Sequence, residues 1–310
     1  MMNIGVIGVG YWGSKVVNEY LQLAKERIIG EVEICDVNMK ASAEYGKNPF
    51  VGFISTNYKE FLKKDIDGVH ICTPNDTHYA IAKEALENGK HVLIEKPMTT
   101  NSNDAYKLIE LSADNGLILQ VGHIFRFANV IRKAKELMKE NYFGKVYYFT
   151  LKWTTMMQPI KGVDIIWDLL PHPLDIIHFL TGEYPYRWQA MGGHFRRGEL
   201  SEMAFINLDY GSFKANVELS WLTRHRKREL LIAGEKRVAV IECVKQKMKV
   251  HEGEQGENTT EIKIEANNTI REEALNFISS IKNGKMPFNS HIIGAKNVDI
   301  IERIMEGQWR

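Results

Sequence analysis

Hydrophobic positions along this chain follow two different rhythms. Up to about residue 121, short apolar and β-branched runs at 4–7, 32–35, 51–54, 68–72, 91–94 and 117–121 alternate with stretches of helical period. In one such stretch, 79–88, Ile81, Ala82, Ala85 and Leu86 fall on one face before Gly89, which tolerates the left-handed stop of a helix. Strands separated by helices need crossover connections, and crossovers join parallel strands. The pattern predicts a doubly wound parallel sheet over residues 1–121.

The rhythm changes after a predicted helix at 130–139. Runs at 145–153, 187–194, 202–209, 213–221, 228–233 and 237–243 alternate apolar and polar residues, as strands do when only one face is buried. Asp209-Tyr210-Gly211-Ser212 and Gly234-Glu235-Lys236 read as hairpin turns, and Gly253-Glu254-Gln255-Gly256-Glu257-Asn258 as a flexible hairpin end. Helical period returns at 269–282. The expectation is a second α/β domain over 122–310 built on an antiparallel sheet. Neither repeats nor low-complexity tracts interrupt it.

A chain of 310 residues can hold two sizeable cores. Its 40 basic and 39 acidic side chains produce no bulk field, which argues against nucleic acid as a partner. The densest basic run, Arg224-His225-Arg226-Lys227-Arg228, reads as a solvated strand face or as a patch for a substrate phosphate. Cys35, Cys72 and Cys243 are odd in number and far apart, so they suggest core packing rather than disulfides or a zinc ribbon. The start has no leader pattern, and no apolar stretch approaches the roughly 18 residues of a membrane span, so a cytoplasmic protein is expected.

The chemistry begins at Gly8-Val9-Gly10-Tyr11-Trp12-Gly13, directly after the first strand. A G-x-G-x-x-G between strand and helix makes a tight turn, lets backbone approach a diphosphate and aims helix N-terminal amides at its charge. Asp36 ends the second strand about 20 residues later, where an acid accepts hydrogen bonds from an adenosine ribose. Asp36 would repel a 2′-phosphate and only Lys40 follows nearby, so NAD is favoured over NADP.

Two further motifs follow strands of the same sheet, where open α/β sheets bind ligands: Thr73-Pro74-Asn75-Asp76-Thr77-His78 and Glu95-Lys96-Pro97. The first also reads as a proline turn with Asn75, Asp76 or Thr77 capping the next helix. In the second half, Asp168, His172 and Asp175 recur at i, i+4 and i+7, with His178 beyond. Pro171 and Pro173 place His172 in a first helical turn, because prolines deeper inside would remove backbone donors. Imidazole and carboxylate can ligate metal, but no cysteine or H-E-x-x-H accompanies them, so no metal is expected; helix capping is the other bland reading.

Together, Gly8, Gly10, Gly13 and Asp36, Thr73-Pro74 with His78, Glu95-Lys96-Pro97, and Asp168 with His172 resemble the Gfo/Idh/MocA family of NAD(P)-dependent sugar and cyclitol oxidoreductases, over nearly the whole chain. The resemblance implies a Rossmann domain followed by an α/β domain with a large open antiparallel sheet, whose exposed face makes a homodimer or homotetramer. It also implies a cis Lys96-Pro97 bond. Lys96, Asp168 and His172 are then the catalytic group: His172 as general base, Lys96 bonding the reacting oxygen and Asp168 orienting one of them, with the base role open to exchange with the lysine. Gly8, Gly10, Tyr11, Trp12, Gly13, Asp36, Thr73, Pro74, Asn75, His78, Glu95, Lys96 and Pro97 would hold cofactor. Lys96, Arg126, Trp153, Asp168 and His172 would meet substrate.

Asp168-Leu169-Leu170-Pro171-His172, the Tyr11-Trp12 pair and Arg226-Lys227-Arg228-Glu229-Leu230 are similar to the branch of UDP-N-acetylhexosamine and UDP-hexosaminuronate 3-dehydrogenases, although Pro173 stands where many of those have aspartate. In that case Arg126, Lys161 or the 224–228 run could meet a diphosphate. The alternatives are oxidation of an inositol-like cyclic polyol and a non-catalytic NAD(H) sensor.

Overall fold

The computed structural model describes residues 1–160, 162–196 and 200–307. Its first sheet is built from β1 (Ile4–Ile7), β2 (Val32–Cys35), β3 (Val51–Ser55), β4 (Gly68–Ile71), β5 (His91–Ile94) and β6 (Leu119–Val121), all parallel and in the order β3-β2-β1-β4-β5-β6. The crossovers carry α1 (Gly13–Lys25), α2 (Met39–Ala43), α3 (Tyr58–Leu62), α4 (His78–Glu87) and α5 (Ser102–Asp114). Residues of β1, β2 and β4 are buried throughout because helices cover both faces of the sheet. This is the Rossmann order, and the order in which strands are added reverses between β1 and β4, where such sheets open a ligand crevice.

The second unit contains α6 (Asn129–Lys139), β7 (Val146–Met156), α7 (Ile165–Leu169), α8 (Pro171–Thr181), β8 (Arg187–Gly193), β9 (Met203–Asp209), β10 (Lys214–Ser220), β11 (Leu222–Gly234), β12 (Val238–Glu242), β13 (Lys247–Glu252) and β14 (Asn258–Ile262). Its sheet runs β14-β13-β12-β11-β7-β10-β9-β8. Every pairing is antiparallel except β7 with β10. The chain reverses at Trp221 and sets β10 and β11 on opposite sides of β7, so only one of them can run antiparallel to it. The expected antiparallel sheet is therefore mixed at its centre. All three predicted turns are hairpins, but β14 is exposed along most of its length and offers no alternation from which to foresee it.

Two helices close the chain, α9 (Thr269–Asn283) and α10 (His291–Glu306). Residues Ile270–Asp299 belong with Met1–His123, whereas Ile124–Thr269 groups with the described residues after Asp299. This corrects the contiguous 122–310 division. Ala274, Phe277 and Ile278 of α9 find their burial in the core of Ile4, Val6 and Val17, and a Cβ at Gly68 of β4 would lie only 3.1 Å from Phe277 Cζ. Among the described residues no helix is long and apolar enough to cross a membrane.

Candidate functional site

Carboxyl ends of β1, β2, β4 and β5 carry the predicted motifs of the first unit. Gly8 has φ +91° and a Cβ there would stand 2.8 Å from the Cys72 backbone, so only glycine joins β1 to the turn beside β4. A Cβ at Gly13 would meet the Gly8 carbonyl oxygen, which lets α1 start directly against the loop, while one at Gly10 would enter open space. Open room over Gly10 before a helix N-terminus is the cradle a diphosphate needs. Asp36 Oδ2 accepts the Val9 amide at 2.6 Å and Oδ1 the Asn38 amide at 2.7 Å, fixing the carboxylate beneath the glycine turn. Each oxygen keeps a further lone pair for a ribose hydroxyl. These residues fit a dinucleotide.

His78 joins the other two motifs. Its fully buried ring places Nδ1 2.8 Å from the Pro97 carbonyl oxygen and Nε2 2.9 Å from that of Thr73. Burial pushes its pKa down, against the pull of both carbonyls. Thr77, one of the three expected caps, stands at the N-cap of α4 but makes no side-chain cap bond; its Oγ1 lies 2.7 Å from both Thr73 Oγ1 and the Pro74 carbonyl and closes the loop instead. Lys96, half-buried, follows β5, and the Lys96–Pro97 peptide bond is cis, as the resemblance implied.

Glu95 is buried beside Trp12 and among two groups that sequence reasoning missed, His70 and Tyr20. Its Oε1 accepts from Trp12 Nε1 and lies 3.3 Å from His70 Nε2, whose Nδ1 faces Tyr20 Oη at 3.4 Å. Burial works to raise the Glu95 carboxyl, but His70, Trp12 and Lys96 together hold it below its ordinary value. Trp12 thus supports the E-K-P loop from the glycine turn. The periodicity of β4 shows His70 only as one more strand residue. His70, Cys72 and Glu95 bring potential metal-ligand atoms within 4.8 Å of one another, and burial pushes the Cys72 thiol well up.

In the second unit, α7 and α8 meet at Leu170, whose helical backbone (φ −63°, ψ −28°) carries the chain from one to the other. Pro171 and Pro173 lack amide donors and break the hydrogen-bond ladder there, so His172 stands in the first turn of α8, as predicted. Asp168, half-buried, occupies the last turn of α7. The His172 ring packs edge-on to Phe125 at 5.1 Å and lies 6.3 Å from the Trp153 ring, itself edge-on to Phe125 at 5.3 Å.

Two expected substrate contacts are corrected by burial. Arg126 Nε donates to Asp175 Oδ1 at 2.6 Å and Nη2 to His178 Nδ1 at 2.8 Å, with both ion-pair side chains buried, so its charge is already matched within the fold. Trp153 is fully buried and supports His172 rather than presenting a face to ligand. Lys161 lies outside the described residues. The 224–228 run is in β11, where residues 223–226 bulge out opposite the single Thr155 of β7 and expose Arg224, His225 and Arg226.

Family models match in two blocks: an oxidoreductase family with an NAD-binding Rossmann fold over residues 2–123, and the GFO/IDH/MocA C-terminal domain over residues 131–240. A UDP-N-acetylglucosamine 3-dehydrogenase from Acidithiobacillus ferrooxidans is 29% identical over 254 residues, covering 81% of this chain and 77% of that protein. A solved structure of that enzyme superposes with a TM-score of 0.84 over 98% of this chain and 96% of that one, at 24% identity. A levoglucosan dehydrogenase solved with NADH and levoglucosan gives 0.86 over 98% and 96%, at 18% identity. The curated levoglucosan dehydrogenase of Pseudarthrobacter phenanthrenivorans is 24% identical over 204 residues, covering 59% of this chain and 52% of that protein.

Proposed function

The chain belongs to the Gfo/Idh/MocA family of oxidoreductases, with an NAD(P)-binding Rossmann domain, and from that premise we propose that it is an NAD-dependent dehydrogenase oxidising a ring hydroxyl of a nucleotide-linked sugar. The observation that carries this reading is the supported E-K-P loop: Glu95 clamped by Trp12 and His70, and Pro97 tied through His78 to Thr73, at the strand ends beside the glycine cradle. A protein that only bound nucleotide would need the cradle and not a braced lysine together with an acid and a histidine on α7 and α8.

NAD, when bound, supplies the hydride acceptor, held by Gly8, Gly10, Gly13 and Asp36, with Thr73 and Pro74 beside them. His172 takes the hydroxyl proton, a role open to a neutral imidazole near physiological pH and worth roughly 10²–10⁴-fold. Lys96 donates to the reacting oxygen and favours its developing negative charge. Asp168 orients the proton-handling groups. The nucleotide-sugar assignment draws support from the activity named for the Acidithiobacillus ferrooxidans relative. The open sheet face, with Tyr148, Phe205 and Met191 exposed, is assigned to self-association into a dimer or tetramer.

The test is a single-turnover titration, following the near-ultraviolet absorbance of reduced nicotinamide with stoichiometric protein and NAD. A rise with UDP-N-acetylhexosamines supports the proposal. A rise with inositol-type polyols alone replaces the substrate, and no rise with either, alongside NAD binding, replaces the enzyme with a sensor.

A further inference from the structure

Arg228 breaks the pattern of the strand that carries it. In β11 it is the cross-strand partner of Trp153, as Leu230 is of Leu151 and Ile232 of Phe149. Directly opposed residues share a sheet face. Trp153, Leu151, Phe149, Leu230 and Ile232 are all fully buried in the core shared with α7 and α8, so Arg228 continues an apolar, helix-covered face with a guanidinium. A charge in that position costs free energy unless something specific is gained from it.

Its hydrogen bonds fix the side chain without using it up. Nη1 donates to the carbonyl oxygens of Thr154 at 2.9 Å and Lys227 at 2.8 Å, and the guanidinium carbon stands 5.9 Å from the centre of the Trp153 ring. Nε and Nη2 have no acceptor, and no carboxylate lies within ion-pair distance, among the described residues. Asp168 is within electrostatic reach and favours its charge, but burial and then the neighbouring Arg226 oppose it, lowering the pKa to about 10. The bulge just before it delivers Arg224 and Arg226 to the same stretch, also without acidic partners among the described residues, and the Thr154 hydroxyl anchors the bulge on the His225 carbonyl at 3.1 Å. A braced, half-buried guanidinium with two spare donors and a second cation beside it is arranged for an anion that arrives from outside.

We propose that Arg228, with Arg226 beside it, is the specificity-determining residue that binds an anionic oxygen group of the substrate, phosphate or carboxylate, near the buried Trp153 ring that also neighbours His172. The inference rests on the sugar-dehydrogenase reading and narrows it: the sugar that reaches His172 carries a negative group. Spare Nε and Nη2 donors form a fork that suits two oxygens of one phosphate or carboxylate.

The experiment is calorimetric titration of NAD-saturated protein with two probes, UDP and glucuronate, for the unaltered chain, Arg228→Met and Arg228→Lys. Saturating NAD removes the dinucleotide site from competition and its retained affinity reports an intact fold. The expected result is that one probe binds, that Arg228→Met weakens it about 10–100-fold, and that Arg228→Lys retains part of the affinity. UDP as the bound probe identifies a diphosphate, and glucuronate a carboxylate. Equal affinity in Arg228→Met, or no binding of either probe to the unaltered chain, overturns the proposal. Turnover separates it from the broader reading: oxidation of neutral polyols without anion binding removes this inference and the nucleotide-linked substrate but keeps the dehydrogenase, whereas Arg228-dependent anion binding without turnover of any sugar removes the dehydrogenase and leaves the site.

Discussion

Arg126 and Asp175 form a buried ion pair, Nε to Oδ1 at 2.6 Å, that fastens the segment carrying Phe125 to the helix carrying His172. Phe125 is packed edge-on against the His172 ring, so the pair governs where the histidine stands. Removing one partner takes from the other, a buried charge, its ion-pair mate. Arg126→Met is expected to lower unfolding free energy by about 3–5 kcal/mol, and the double change Arg126→Met with Asp175→Leu to recover most of it. Denaturant midpoints check this, and a single variant as stable as the unaltered chain would refute the role.

Lys96→Met is expected to abolish turnover while NAD affinity, read by calorimetry, stays within a few-fold. The lysine's role is with the reacting oxygen, and the glycine cradle does not depend on it. Normal turnover would remove Lys96 from the chemistry.

For His172→Asn, kcat/KM is expected to fall by roughly 10²–10⁴-fold and to lose its dependence on pH near neutrality, because the variant offers no group that titrates there. A profile that keeps its neutral limb would move the base to another residue.

Asp36→Ala is expected to weaken NAD and to narrow the preference over NADP, since the carboxylate both accepts from the ribose and repels a 2′-phosphate. Binding constants for the two dinucleotides decide it; an unchanged ratio would show that discrimination lies elsewhere.

Acidification should destabilise the fold partly through His78. Its folded pKa lies below the ordinary 6.5 because burial disfavours the cation. As pH falls through about 6.5 the unfolded chain takes up the proton first, so stability present above that value declines below it. His91 and His291 act in the same direction. Melting temperatures between pH 7 and 5 are expected to fall less steeply in His78→Asn than in the unaltered chain, and parallel slopes would contradict the assignment.

Much of this was legible in the chain. Parallel strands buried on both faces leave short apolar and β-branched runs, which is why β1, β2 and β4 were visible in the pattern, and the half-buried edge strand β3 carried a similar run. Half-buried strands leave alternation, so most of the second sheet was visible too. Exposed β14 left neither, and the parallel pairing of β7 with β10 has no local signature because both strands alternate as antiparallel ones do. Placement of α9 was hidden for the same reason: its period marks an apolar face but not the strand that face will cover.

Motifs behaved in the same way. The glycine turn, Asp36, Thr73-Pro74, Glu95-Lys96-Pro97 and the Asp168/His172 spacing are local, since strand-to-helix turns and first helical turns dictate residue types within a few positions. Their supports are not: His70 and Tyr20 reach Glu95 across the first sheet, and Asp175 lies 49 positions from Arg126. Arg126 and Arg228 look alike as isolated cations, but one is matched inside the core and the other keeps donors to spare. Local periodicity, turn chemistry and motif spacing therefore determined the elements and the candidate chemistry, because each depends on neighbours a few residues apart. Only the tertiary structure decided which charges are paired, which ring braces which base and which strand face a cation occupies, because those depend on strand register and on helices that arrive from elsewhere in the chain.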